Sequence, residues 1–571
     1  MQTPGFQLDA TKLLLVAIVL IGLALRLAAL PESQESRDSD EIGYVSSGLV
    51  LLEGATPGYK FAPAGPLIWT VWTLASGKAA AALVAPSERA QRMPFHMRPL
   101  VAIEEALFDL YADMSGLLRA LIVISLVLSS IAVAAMYELG RKRWGIAGAT
   151  ICGGLMAFTP LFIEFSVAPR PYTDAWSYAA IASAFAVIGP RNTVGLLACA
   201  AFMGLSIANR LDMLLFAPLI AWSLKFEAQR SRRDILAWVA ATLVTLCLSA
   251  PWFFTDLIGN LRPVITVRLF SAGFSSSAAW HSGLRSLLLD QGLGVAVFGC
   301  LLAAAVAAAR GGGRYKLLVT YLAMLFVSLV GGTKYGLRHQ GATLLAVFWA
   351  LPLLLSAAAL RGTFRGVLVG ATVILPLTQA VVHGTRLRAY SLPARATDYI
   401  EANIPPGSPV YMAASETRPP LPTPAASERL WNQVADVHAW RVKVGDAIER
   451  HGLQASAFPR ALSEDHLAQE RSNRRRWFIL GSDVDVRRPR YDVWIVSGGS
   501  PFDVPPEGIA ERLKATGGAL IWRGRVLPSL EPAAAQWLAH DGVGTRVYVR
   551  PSPLVTAGHG TSIVSNQPAV Q

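Results

Sequence analysis

The stretch from Gly116 to Glu164 reads GLLRALIVISLVLSSIAVAAMYEL, then GRKRWG, then IAGATICGGLMAFTPLFIE. No charged residue falls between Ala120 and Tyr137. At about 1.5 Å per helical residue, a run of this kind approaches the ~30 Å hydrocarbon core of a bilayer. Arg141, Lys142 and Arg143 follow it, and a second apolar run opens at Ile146. Two apolar runs about a short basic turn describe a membrane hairpin rather than part of a soluble core.

Comparable runs recur on both sides, at 13–30, 175–189, 194–209, 211–224, 235–254, 286–309, 317–331, 340–360 and 366–382, which with 116–139 and 146–164 makes eleven. The whole chain of 571 residues is 53% hydrophobic and 16% charged, against roughly 25% charged in soluble globular domains. Its mean hydropathy is +0.42. These figures exclude a soluble enzyme and a disordered chain. Cys152, Cys199, Cys247 and Cys300 all fall inside apolar runs, so the polar segments have neither a disulfide framework nor a cysteine metal site. The run at 13–30 follows the basic Lys12 but lacks a small-residue cleavage site, and further spans come after it. It reads as a retained first helix.

Lys+Arg 51 against Asp+Glu 38 gives a net charge of +13. The placement of that excess makes nucleic acid an unnecessary partner. With the N-terminus in the cytoplasm, the cytoplasmic turns collect Arg141–Arg143, Arg230, Arg232, Arg233, Arg310, Arg314 and Lys316, as short cytoplasmic loops do. Two long polar segments then face the other side. The expected fold is a polytopic α-helical membrane protein of about eleven transmembrane helices with a C-terminal periplasmic α/β domain. Residues 1–382 form the membrane domain, 31–115 its first outer loop and 383–571 the soluble domain. Short β-rich runs in the last segment (Ser408–Ala414, Arg476–Gly481, Asp492–Ser497, Ala519–Trp522 and Thr545–Arg550) read as strands, and Glu507–Thr516 as helical or loop. Ala-, Arg- and Gly-rich usage suits a bacterial inner membrane.

The chemistry-bearing residues gather in the outer loops. Arg37-Asp38-Ser39-Asp40-Glu41 places three carboxylates at the boundary after the first run, ahead of Ile42, Val45, Leu49 and Leu52 at helical spacing. Ser39 or Asp40 also suits a helix cap there. Arg170-Pro171-Tyr172-Thr173-Asp174 lies between the third and fourth runs, with Thr173 or Asp174 suited to capping the fourth helix. Asn209-Arg210-Leu211-Asp212 interrupts apolar sequence. Charges at such depth pair with one another or line a polar cavity, so Arg210 reads as paired with Asp212 or as part of a site. Lys334, Arg338 and His339 put positive charge in an outer loop against the orientation bias, which an anionic lipid head group explains and interfacial snorkelling also accommodates. Lys60, in a Pro/Gly-rich turn, is an interfacial anchor or a further cation.

The arrangement resembles the GT-C superfamily of membrane glycosyltransferases, in particular the bacterial relatives of protein O-mannosyltransferases and the lipid A aminoarabinose transferases. The motifs that carry the resemblance are Asp40-Glu41 with Tyr44, then Gly54 and Pro57. Pro66-Leu67 is similar to the family's Pro-Pro-Leu element, Arg170–Asp174 to its second outer loop, and Arg338-His339 to a basic pattern before a late span. Lys60 stands upstream of Pro66-Leu67 rather than directly before it. The resemblance implies transfer of a sugar from a polyprenyl-phosphate donor to a glycolipid, glycan or protein acceptor, with inversion. It implies Asp40 as catalytic base, with Glu41 second. Arg338, His339, Lys334, Arg170 and Lys60 are the donor-phosphate contacts, and Asp38, Tyr44, Tyr172, Asp174 and Arg210 the substrate contacts. A phosphate leaving group needs no cofactor, although Asp38, Asp40 and Glu41 offer oxygen ligands to a divalent cation such as Mg or Mn.

A transporter or flippase also explains spans and buried charge, but predicts midplane charges and internal repeats. A non-catalytic assembly protein of envelope polysaccharide synthesis is the other alternative, and it would leave the outer acids dispensable.

Overall fold

The computed structural model describes residues 10–30, isolated positions between 77 and 98, then 115–167, 171–250, 254, 286–310, 312–331, 341–358 and 362–387, together with the strand backbones 410–413, 493–498, 519–523 and 544–549. The chain divides into two compact units. One comprises Met1–Ala29, Lys60–Leu67 and Leu121–Gly384, the other Leu30–Tyr59, Ile68–Ala120 and Thr385–Gln571.

The first unit is helical. Its helices are α1 (Ala10–Ala28), α2 (Ser115–Phe158), α3 (Pro160–Ser166), α4 (Pro171–Ile188), α5 (Thr193–Asn209), α6 (Ala217–Phe226) and α7 (Arg232–Ser249), followed by α8 (Gly294–Arg310), α9 (Gly313–Gly331), α10 (Gly341–Ala357) and α11 (Gly362–Leu387). A 3₁₀ turn, Leu211–Phe216, leads into α6, and a π turn, Ser286–Asp290, precedes α8. Each of the eleven apolar runs overlaps helix among the described residues. Among the described residues, Ala10–Ala28, Arg119–Phe158 and Thr363–Val382 are long and apolar enough to cross a membrane, and Thr193–Asn209, Gly294–Arg310 and Gly341–Ala357 are shorter apolar helices.

The hairpin expected at 116–164 is present. α2 doubles back at Trp144 and Gly145, where Gly145 takes a φ of 61° that a side chain would disfavour. The halves then pack closely enough that Tyr137 lies against Gly153. One difference from the sequence reading is physical: the run 146–164 is not a single span but breaks at Thr159, because Pro160 cannot continue the helix.

α10 is buried on nearly all sides, from Gly341 to Leu355, as expected of a helix apolar all round. Near it, Arg143 of the basic turn is not a loop charge. Its side chain is 2% exposed and its guanidinium grips Glu227, Nε to Oε1 at 2.9 Å and Nη2 to Oε2 at 2.5 Å. It also stacks 4.1 Å over the Trp349 ring and donates to the Trp349 carbonyl. Ser223 Oγ donates to the same Glu227 carboxylate at 2.8 Å. These contacts tie the hairpin turn to α6 and α10.

In the second unit, β1 (Val410–Ala413), β2 (Val493–Gly498), β3 (Ala519–Arg523) and β4 (Gly544–Val549) form one sheet in the order β1-β2-β4-β3. β1 pairs parallel to β2, and β4 pairs antiparallel to both β2 and β3. The register slips between Leu520 and Trp522, as a bulge requires. Four of the expected strand runs fall on these strands. Arg476–Gly481 and Glu507–Thr516 lie outside the described residues.

Candidate functional site

Chain direction changes sharply at Asn209. α5 ends there, and Arg210 is extended (φ −150°, ψ 115°) before the 3₁₀ turn begins. The turn brings Asp212 back beside Arg210. Arg210 Nε donates to Asp212 Oδ1 and Nη2 to Oδ2, both at 3.0 Å. Both residues are buried. The pairing of Arg210 with Asp212 read from the sequence is present. The guanidinium also lies over Tyr172, 4.0 Å from the ring centroid. Two of the expected substrate residues, Tyr172 and Arg210, therefore stand together.

Tyr172 sits at the start of α4, whose first residue is Pro171, so Thr173 and Asp174 lie within the first turn rather than at the cap. Proline suits that position because it has no N–H to lose there. Tyr172 and Trp176, one helical turn apart, join Phe162 and Phe165 of α3 in an aromatic cluster. Phe165 and Tyr172 are 4.7 Å apart between centroids, and so are Phe162 and Trp176. Offset and tilted contacts of this kind are the favoured aromatic geometry.

Asp174 points to a different face. It is buried, and its Oδ1 accepts from Ser125 Oγ of α2 at 2.8 Å. The structure does not bring Asp174 into the Arg210–Asp212 pair. A carboxylate this deep in a helical bundle marks functional chemistry more often than packing, and its position in the first turn of α4 suits the helix dipole. Beside it, the Thr173 hydroxyl, the Trp176 indole N–H and the Ser177 hydroxyl are buried and have no hydrogen-bond partner among the described residues. Three such groups within two turns of one helix invite a polar ligand.

Trp176 also reaches α10. A Cβ built on Gly341, the first residue of α10, would fall 2.0 Å from Trp176 Cε2. Only glycine permits this approach, and it sets the start of α10 directly against the second turn of α4. In sequence, Arg170 immediately precedes Pro171, and Arg338 and His339 stand three and two positions before Gly341.

Asp38, Asp40, Glu41, Tyr44, Lys60, Arg170, Lys334, Arg338 and His339 lie outside the described residues. Among the described residues, no group of three or more His, Cys, Asp or Glu side chains is placed to hold a metal ion. Sequence reasoning missed Ser125, because an isolated serine in an apolar run carries no signal. It also missed the Trp176–Gly341 contact, although a glycine opening an apolar run is a readable hint of close approach.

The chain matches no protein-family model and no curated protein. Among solved structures it is similar to ArnT from Cupriavidus metallidurans bound to undecaprenyl phosphate, with 13% identity, 96% of this chain and 99% of that chain covered, and a TM-score of 0.40. It is also similar to the Archaeoglobus fulgidus oligosaccharyltransferase in the apo form, with 12% identity, 72% of this chain covered and a TM-score of 0.37, spanning 63% of that chain's length. The same oligosaccharyltransferase in complex with Zn and sulfate matches at 13% identity, covering 85% of this chain and 68% of that one, with a TM-score of 0.37.

Proposed function

We propose that this chain is a membrane glycosyltransferase that moves a sugar from a polyprenyl-phosphate donor to a lipid, glycan or protein acceptor on the non-cytoplasmic side of a bacterial inner membrane. One observation supports it above the others. Trp176 holds the start of α10 against the second turn of α4, so the helix that follows Arg170 and the helix that follows the cations breaking the orientation bias begin close together. Helix N-termini carry partial positive charge and favour phosphate, and Arg170, Lys334, Arg338 and His339 add to it in the two loops that precede these helices. Lys60 is a further candidate contact.

In this reading the acceptor hydroxyl or amine attacks the anomeric carbon, its proton passes to Asp40 (or to Glu41), and the carbon–oxygen bond to the phosphate breaks. The polyprenyl phosphate leaves as an anion that the basic residues stabilise. A single displacement inverts the anomeric centre. Asp38, Tyr44, Asp174, and Tyr172 braced by Arg210, are the proposed substrate contacts. No cofactor is needed for this step, and a divalent cation such as Mg or Mn would be held by Asp38, Asp40 and Glu41. With the N-terminus in the cytoplasm, as the basic turns favour, eleven spans would leave residues 383–571, an α/β domain, outside.

The test uses purified protein in lipid nanodiscs. Arg338→Ala weakens binding of undecaprenyl phosphate, and Asp40→Asn leaves that binding intact while abolishing sugar transfer. Unchanged affinity in the first variant removes Arg338 from the site, and near-normal transfer in the second removes Asp40.

A further inference from the structure

Pro160 stands where α2 would otherwise run on into α3. Proline has no backbone N–H, so the carbonyl four residues back, that of Met156, loses its helical donor. The next amide, Leu161 N–H, would serve Ala157, but it donates instead to Gln291 Oε1 at 2.8 Å. Two carbonyls at the end of α2 are thus left without helical donors. A buried carbonyl left without a donor is destabilising.

Arg26 of α1 meets both. Its Nη2 donates to Met156 O at 3.1 Å and its Nη1 to Ala157 O at 3.0 Å. Nη1 also donates to Gly22 O, one turn back on its own helix, at 2.9 Å. The side chain is fully buried, and its charge sits at the negative end of the α2 dipole. Gly22 makes room for it, since a Cβ there would come within 3.0 Å of Ala157 Cβ and 3.1 Å of Arg26 Nη1. Membrane bundles tolerate a proline break where neighbouring groups satisfy the freed backbone. Here the neighbours are Arg26 on one side of the break and Gln291 on the other.

The break also fixes where α3 lies. That helix carries Phe162 and Phe165, and these pack on Trp176 and Tyr172, the ring over which Arg210 lies. We propose that Arg26 and Gln291 are positioning residues of the Tyr172–Arg210 site: Arg26 donates to the two carbonyls freed at the Pro160 break and Gln291 accepts the Leu161 amide, and together they hold α3 where its two phenylalanines support Tyr172 and Trp176. The link to ligand binding rests on the reading of that end of the bundle as the lipid-phosphate site. The hydrogen-bond repair does not.

The experiment compares full-length wild type, Arg26→Met, Arg26→Lys, Pro160→Ala and the Arg26→Met/Pro160→Ala double variant in lipid nanodiscs. The first readout is Tm. Arg26→Met lowers it, and Pro160→Ala, which returns an N–H for Met156 O, recovers most of that loss in the double variant. Strictly additive losses overturn the proposal. The second readout is the Kd for undecaprenyl phosphate, taken well below each Tm. Arg26→Met weakens binding on the order of tenfold or more, as displaced site groups do, Arg26→Lys weakens it less, and Pro160→Ala restores it. A lowered Tm with unchanged affinity overturns the positioning role. Failure of the wild type to bind undecaprenyl phosphate counts against the reading of the site, and the Tm cycle then decides on Arg26 by itself.

Discussion

Arg210 lies 4.0 Å over the ring of Tyr172 while two of its nitrogens hold both carboxylate oxygens of Asp212 at 3.0 Å. One guanidinium thus joins a 3₁₀ turn to the start of α4, with its charge met locally. This makes Arg210 a brace for Tyr172. Removing one partner of a buried pair leaves the other charge uncompensated, at a cost of about 3–5 kcal/mol. Asp212→Ala therefore lowers stability by that amount in thermal unfolding of the purified protein. Arg210→Met combined with Asp212→Leu, which removes both charges, loses far less.

Asp174 and Ser125 give a separate prediction. Ser125→Ala deprives the buried carboxylate of its hydroxyl and lowers stability by about 1–3 kcal/mol. Asp174→Asn keeps an acceptor for Ser125, so its Tm stays near that of wild type while substrate affinity falls. Equal losses of Tm in both variants would show that the charge itself serves the fold.

Thr173 and Ser177 carry hydroxyls that are buried without partners among the described residues. Replacing such a group by an apolar one of similar shape removes an unmet desolvation cost. Thr173→Val and Ser177→Ala consequently leave Tm unchanged or raise it. If the hydroxyls serve a polar substrate, the same variants weaken its binding, which titration of the purified protein measures.

Gly341 tolerates no side chain. Gly341→Ala forces a Cβ into the Trp176 ring, and overpacking of this kind costs about 1–3 kcal/mol or more. Because it pushes α10 away from α4, it also weakens undecaprenyl phosphate binding. Trp176→Phe in the same chain, which frees space at the clash, restores part of the Tm. A Gly341→Ala protein with wild-type Tm and affinity would contradict the assigned contact.

The legible features were those written in local pattern. Apolar runs marked the helices, alternating β-rich runs marked β1, β2, β3 and β4, and Asn209–Asp212 marked the interruption that the 3₁₀ turn forms. Roles set by distant partners left no local trace. Arg26 looks like an ordinary charge near the end of an apolar run until Pro160, far along the chain, leaves it two carbonyls to satisfy. Arg143 reads as one of three loop cations, yet its guanidinium is buried against Glu227 and Trp349. Charge counting by loop cannot separate an arginine that sets orientation from one that pins helices together. Ser125 was invisible for the same reason: its meaning comes from Asp174.

The most direct test of the central claim is mass spectrometry of envelope lipids, glycans and proteins from cells carrying wild type, Asp40→Asn or no copy of this chain. The account predicts one class of molecule that bears an added sugar only with wild type. A sugar-modified species that persists equally with Asp40→Asn would contradict the assigned base. Identical envelopes with and without the chain would contradict sugar transfer altogether.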